Sequence, residues 1–286
     1  MSSSAETGML ALDVGSSRVK IGWYPPNVAC LSPSRPGALP IVAPSLPLPD
    51  PAFAVTHRDR PRDELSQKIR QGIDPFPWQR AHCYVASVYP EVDSIVENIL
   101  GDQTCFLAHT DLALEIRVDQ PDRVGIDRLL SVVAANRLRQ PGQEAIVVSV
   151  GTAITVNFIS ADGAFEGGAI LPGLGISAAS LNAGTSTLPH LSTASIEAPP
   201  EPVGKSTSAA IQAGLFWGAI GAIRQVSHRQ RQVSSGQTKK EISRQMFATG
   251  GDARLLVDHL GIDGSPAKYI PHLVLAGIAI TAEELR

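Results

Sequence analysis

The stretch AIVVSVGTAITVNFI, residues 145–159, repeats the plan of MLALDVGSSRVKIGWY, residues 9–24. In each, an apolar run enters a small turn of glycine and hydroxyl residues, and a second extended run leaves it. Laid over one another, Asp13-Val14-Gly15-Ser16-Ser17 falls on Ser149-Val150-Gly151-Thr152-Ala153, and only the first copy carries a carboxylate. A chain that restarts one supersecondary unit halfway along is constrained to a duplicated architecture. Here that means two α/β halves, 1–142 and 143–286, set around a cleft.

The rest of the chain fits that plan. Val19, Ile21 and Trp23 alternate with Lys20, Gly22 and Tyr24 as a half-buried strand does. Prolines crowd 25–51 and leave no period, which predicts an irregular excursion. A short helix is expected at 64–70 and strands at 82–88, 104–108 and 112–118. Another helix runs from Pro90 to Leu100, proline being suited to a first helical turn. In GIDRLLSVVAANRLRQPG, residues 125–142, Ile126, Leu129, Leu130, Val133 and Leu138 form an apolar stripe, and Pro141-Gly142 stops the helix. After the second strand-turn-strand, helices are expected at 173–182 and 208–228, with a last short strand in RQMFATGG, residues 244–251, ending in a glycine pair. A helix over 252–260 and an amphipathic helix in PHLVLAGIAITAEEL close the chain. Ile211, Leu215, Phe216 and Ile220 read equally as core or as a subunit interface.

Composition narrows the function classes. The 286 residues are 43% apolar and 18% charged, as ordinary globular chains are. A net charge of -3 argues against a coat for nucleic acid or anionic membrane, and the Lys239-Lys240 doublet does not reverse it. Cys30, Cys83 and Cys105 are odd in number and widely spaced. They suggest neither a disulfide framework nor a zinc site, and Cys83 and Cys105 read as buried thiols. The N-terminus lacks a basic segment followed by an apolar one, and no run approaches the ~20 apolar residues of a membrane helix, so a cytoplasmic protein is expected.

A tight turn of glycine and hydroxyl residues presents backbone N–H groups to one side and suits phosphate. Two such turns could hold a polyphosphate, and Asp13 could orient magnesium-bound water. Hairpin turns contain the same residues for conformational reasons alone. GKST, residues 204–207, resembles the tail of a P-loop, but Pro199 stands where its first glycine belongs and no strand precedes it.

Taken in order, DVGSSRVKIG, VGIDRLLSVVAA, VGTAITV, GGAILPGLGIS, LPH, PVGKSTSAAIQAGLFWG and ATGG resemble the type III pantothenate kinases, of the acetate and sugar kinase/Hsp70/actin superfamily. The resemblance covers nearly the whole chain and implies a duplicated actin-like (ribonuclease H-like) fold. It also implies transfer of the ATP γ-phosphate to the hydroxyl of pantothenate, the first step of coenzyme A synthesis, in a homodimer. Asp13, Val14, Gly15, Ser16, Ser17, Arg18, Val19 and Lys20 would then serve ATP and magnesium, Thr152 would contact ATP, and Gly250 and Gly251 would approach the adenosine. Gly125, Ile126, Asp127 and Arg128 match the family's substrate segment, Asp127 as catalytic base with Arg128 beside it, and Thr207 matches a substrate-binding threonine. Spacing alone gives plainer alternatives: Asp127 favoured in a first helical turn, Arg128 solvated, Thr207 a helix cap.

Four positions depart from the family. Ser149 replaces the aspartate that helps hold potassium or ammonium, and its single neutral oxygen predicts a weakened or missing cation site. Ser16 replaces an asparagine, Ile154 a threonine and Val118 a tyrosine near the substrate. Ser149 and Ser16 motivate a second hypothesis, a non-catalytic ligand-sensing accessory factor. Val118 motivates a third, a kinase for another small hydroxylated acid.

Overall fold

The computed structural model describes residues 7–26, 46–58, 60–234 and 244–286. Cys30, most of the proline-rich 25–51 stretch and the Lys239-Lys240 doublet lie outside the described residues. The chain divides into two units, the first made of residues 1–114, 119–138 and 272–286, the second of 115–118 and 139–271.

In the first unit β1 (Met9–Val14), β2 (Arg18–Tyr24), β3 (Ala52–Thr56), β4 (His82–Ser87) and β5 (Thr104–Phe106) form one sheet in the order β3-β2-β1-β4-β5. β1 pairs antiparallel with β2 and parallel with β4. Every residue of β1 is buried, because helices cover both faces, so the strand reads as a continuous apolar run. Leu10, Leu12 and Val14 pack against Leu65, Ile69 and Ile73 of α1 (Arg62–Ile73) and Val92 and Val96 of α2 (Pro90–Leu100). Ala11 and Asp13 alternate onto the other face.

Two helices of this unit, α3 (Ile126–Leu138) and α7 (Leu273–Glu284), pack closely on each other. A Cβ on Gly277 would lie 2.1 Å from the Leu130 carbonyl oxygen, so only glycine lets the two backbones approach this far. The closing helix therefore belongs with the first unit, and a single cut at 142/143 does not describe the chain. Nor is it amphipathic: residues 275–282 are all buried, since α3 and β1 take its faces.

Three smaller expectations are corrected here. No strand forms over 112–118; a tight turn at His109–Asp111 precedes it, and only Ile116 bridges to Phe165. β3 was hidden behind the prolines. Cys105 is exposed, because β5 is an edge strand and its pleat turns that side chain out. Cys83 is buried, and burial pushes its thiol up to about 11.

The second unit repeats the plan. β6 (Glu144–Val150), β7 (Ala153–Ile159), β8 (Phe165–Pro172), β9 (Arg244–Thr249) and β12 (Lys268–Tyr269) form a sheet in the order β12-β9-β6-β7-β8. Read from β8, strands stand in the third-second-first-fourth-fifth order of the first sheet, with the same antiparallel and parallel pairings. This is the duplicated actin-like (ribonuclease H-like) fold. α4 (Leu174–Ala183) and the long α5 (Thr207–Ser234) pack on it, and Ile211, Leu215, Phe216 and Ile220 of α5 are core. β9 is not the last strand: α6 (Ala253–Leu256), a β10–β11 hairpin (Gly261–Ile262, Ser265–Pro266) and β12 follow.

Candidate active site

Asp13 ends β1 opposite Lys20 of β2, and Lys20 Nζ donates to Asp13 Oδ2 at 2.8 Å. Asp13 is 2% exposed, and a carboxylate that deep requires a partner. The Asp13 charge in turn raises the Lys20 ammonium above its usual value, against the opposing effect of burial.

The turn beyond Asp13 is closed by the Gly15 N–H donating to the Arg18 carbonyl at 3.0 Å. Two of its other carbonyls are held from behind by one residue. The His57 N–H donates to Ser17 O at 3.1 Å, and His57 Nε2 donates to Gly15 O at 2.7 Å. Ser16 and Arg18 are left exposed. Carbonyls turned inward and an exposed rim make a concavity suited to an anion.

Asp127 lies in the first turn of α3, where its Oδ1 accepts the Arg128 N–H at 2.9 Å. Burial raises its pKa, the Asp13 charge adds to this, and the Arg128 N–H and the charges of Lys20 and Arg128 oppose it. Burial lowers the pKa of Arg128, which Asp127 partly restores. Asp13, Lys20, Asp127 and Arg128 thus share one field: two cations, one carboxylate locked in an ion pair, and a second that binds its proton more tightly than usual. That second carboxylate is the one suited to act as a base. His272, just before α7, adds to the cluster with a left-handed backbone (φ 56°). Burial and the Lys20 charge hold its imidazole below its ordinary value.

The second turn is one residue tighter. Val150 pairs with Ile154, and the Gly151 N–H donates to Ala153 O at 3.0 Å. The Thr152 carbonyl accepts the Gly173 N–H at 3.1 Å. Gly250 packs against this turn with φ 102°, and a Cβ there would lie 2.2 Å from Val150 O, so no other residue fits. Ser149 stands in register with Thr155 on β7 and Thr249 on β9. These are the positions that Lys20 and Ala86 hold around Asp13 in the first unit. The place of the ion pair is therefore taken by hydroxyls.

The structure gathers Asp13, the Gly15–Lys20 turn and 125–128 in the first unit, and Ser149, Thr152 and Gly250 in the second. Thr207 is exposed at the start of α5 and is not its cap, since Ser206 Oγ accepts the Ala209 N–H at 3.2 Å. His57 and His272 were missed by sequence reasoning. His57 follows a strand that the prolines concealed, and a lone histidine before a helix carries no signal. Among the described residues no group of three or more His, Cys, Asp or Glu could hold a metal ion.

The family model for type III pantothenate kinase matches residues 9–229. The chain belongs to that family. It is 35% identical over 286 residues to the type III pantothenate kinase of Solibacter usitatus, covering 96% of each chain. It is 42% identical over 171 residues to that of Rhodopirellula baltica, 59% of this chain and 58% of that one. Among solved structures it resembles a conserved putative Baf family transcriptional activator from Campylobacter jejuni, with TM-score 0.59, 18% identity and coverage of 96% and 98%. MreB 5 of Spiroplasma citri bound to AMPPNP superposes with TM-score 0.51, 9% identity and coverage of 98% and 97%. At these identities the two structures speak to the fold alone.

Proposed function

We propose that this chain is an ATP-dependent pantothenate kinase, transferring the γ-phosphate of ATP to the pantothenate hydroxyl to give 4'-phosphopantothenate. The observation that carries the reading is the Asp127 carboxylate, raised in pKa and set between Arg128 and the Asp13–Lys20 pair. Phosphoryl transfer demands positioning and charge neutralisation more than covalent chemistry, and this cluster supplies both.

In this reading Asp127 accepts the hydroxyl proton as the oxygen attacks, and Arg128 and Lys20 balance the charge on the transferred group. The Gly15–Lys20 turn and Thr152 receive phosphate oxygens, Gly250-Gly251 borders the adenosine, and Gly125 to Arg128 with Thr207 orient pantothenate. Asp13 is a hard oxygen donor suited to magnesium through water, and that ion would add neutralising charge. The monovalent-cation position offers only the hydroxyls of Ser149, Thr155 and Thr249, so dependence on potassium or ammonium is weak. Ile170, Ile176, Leu181 and Val203 of the second unit are exposed and apolar. They supply a surface for a second copy in a homodimer. Among the described residues no helix is long and apolar enough to cross a membrane, which accords with a cytoplasmic enzyme.

The test is incubation with magnesium-ATP and pantothenate in potassium, ammonium, sodium or no added monovalent salt, with Asp127→Asn as blank. Phosphopantothenate that appears in every salt and vanishes in the variant supports the reading. Ligand binding without turnover in any salt overturns it in favour of a sensor.

A further inference from the structure

We infer that His57 is a positioning residue that fixes the first glycine-serine turn in its phosphate-facing shape. This rests on the reading of that turn as a seat for ATP phosphates. The last pair of the β2–β3 ladder is Arg18 with Thr56, so His57 stands opposite Ser17 and its N–H donates to Ser17 O at 3.1 Å. The imidazole folds beneath the turn, with Nε2 2.7 Å from Gly15 O. A carbonyl only accepts, so Nε2 carries the proton. One residue thus holds two of the turn's carbonyls.

The ring is itself braced. His57 is 7% exposed and stacks on Tyr89 with centroids 4.7 Å apart. The Tyr89 N–H donates to Ser87 Oγ at 3.2 Å and its hydroxyl to Glu91 Oε2 at 3.0 Å. Because a trans peptide points its C=O and N–H in opposite directions, a Gly15 carbonyl held inward sends the Ser16 N–H outward, to the rim where a phosphate oxygen would sit.

The duplication supplies an internal control. In the second unit the last β7–β8 pair is Ala153 with Pro172, so Gly173 stands opposite Thr152 as His57 stands opposite Ser17. The Gly173 N–H donates to Thr152 O at 3.1 Å, the same backing bond. A Cβ on Gly173 would lie 2.1 Å from Gly151 O and 2.5 Å from Thr152 O, so that turn rests on bare backbone. In the first unit the turn stands off far enough for an imidazole to bridge the gap. Both copies keep the backing bond and differ in what fills the space beneath, which ties His57 to the turn rather than to β3.

The test compares His57→Ala, His57→Gln and His57→Asn with the unaltered protein. The Gln amide nitrogen can reach Gly15 O as Nε2 does, and the shorter Asn amide cannot. Readouts are the dissociation constant for a non-hydrolysable ATP analogue with magnesium, KM for each substrate, kcat, and amide exchange across 15–18. Loss of one hydrogen bond to the turn predicts analogue binding and KM for ATP about tenfold weaker in His57→Ala. Faster exchange at Gly15, whose N–H closes the turn on the Arg18 carbonyl, an unchanged KM for pantothenate and recovery in His57→Gln are expected with it. Unchanged nucleotide affinity in a folded His57→Ala protein, or equal rises in both KM values, overturns the inference. Should the alanine variant not fold, equal affinities in the Gln and Asn variants do the same. If the unaltered protein fails to bind the analogue, the phosphate reading of the turn falls, and exchange at Gly15 still decides whether His57 holds it.

Discussion

Lys20 and Asp13 face each other across neighbouring strands at 2.8 Å, and the same register in the second unit holds Thr155 and Ser149. The Asp13 side chain is 3% exposed and that of Lys20 38%, so the carboxylate depends on the ammonium more than the reverse. Lys20→Met leaves Asp13 buried without its cation, and stability falls by about 2 kcal/mol, the scale of a charged hydrogen bond. The Lys20 pKa is raised on folding. The pair's contribution is therefore full below the unfolded lysine value and is lost as pH rises through the folded one. Chemical denaturation of the two proteins between pH 7 and 12 tests this: a gap that stays constant to the alkaline end would sink it.

Asp127 shifts the opposite way for stability at neutral pH. Its pKa is raised above 3.8, chiefly by burial, so the folded state binds a proton there more readily than the unfolded chain. The stability linked to it is present below 3.8 and lost as pH rises through the folded value. Asp127→Asn keeps an oxygen for the Arg128 N–H and removes the buried charge. The variant is expected to melt higher than the unaltered protein at pH 7, with the difference closing near pH 3, while kcat falls at least 100-fold. The acid limb of kcat/KM in the unaltered protein, which reports the free enzyme, is expected above the ordinary aspartate value. A variant that melts lower at pH 7 with undiminished turnover would remove Asp127 from the role of base.

Thr207 and Ser206 are neighbours with separable jobs. Ser206 caps α5, and Ser206→Ala costs about 1 kcal/mol. Thr207 is exposed, so Thr207→Ala changes stability by no more than ~0.5 kcal/mol. It raises KM for pantothenate about tenfold if its hydroxyl meets the substrate. Melting curves and steady-state kinetics on the two variants should give opposite patterns. A Thr207→Ala protein with normal KM would leave that hydroxyl without a role in binding.

Much of this was legible because the chain says it twice. The two strand-turn-strand segments share strand order and pairing, with the second turn one residue tighter, and the stripe from Ile126 with its Pro141-Gly142 stop predicts α3 to within about two residues. Other features depend on partners that sequence does not name. α7 is apolar all round, which signals burial but not which sheet receives it; that is settled by Gly277 meeting Leu130. His57 lies beyond a strand with no clear alternation, and its importance comes from facing Ser17 and Gly15, 42 residues from the latter. Cys105 sits in an apolar run but on an edge strand, where the pleat decides exposure.

The contrast between Asp13 and Ser149 leads to a last expectation. Around Asp13 the sheet supplies a lysine; around Ser149 it supplies Thr155 and Thr249, neither charged. A half-buried carboxylate introduced by Ser149→Asp therefore has no protein cation in register and must recruit one from solution. In choline chloride the variant loses about 1–3 kcal/mol, the cost of an uncompensated polar group. Potassium or ammonium chloride at the same ionic strength restores most of it, because a bound ion stabilises the folded state by mass action. The unaltered protein shows no such difference between salts. Melting temperatures measured across the three chlorides decide the matter without any assay of turnover. If the variant melts alike in all three, the hydroxyl cluster is not a vestige of a cation site, and Ser149 serves only the strand it sits in.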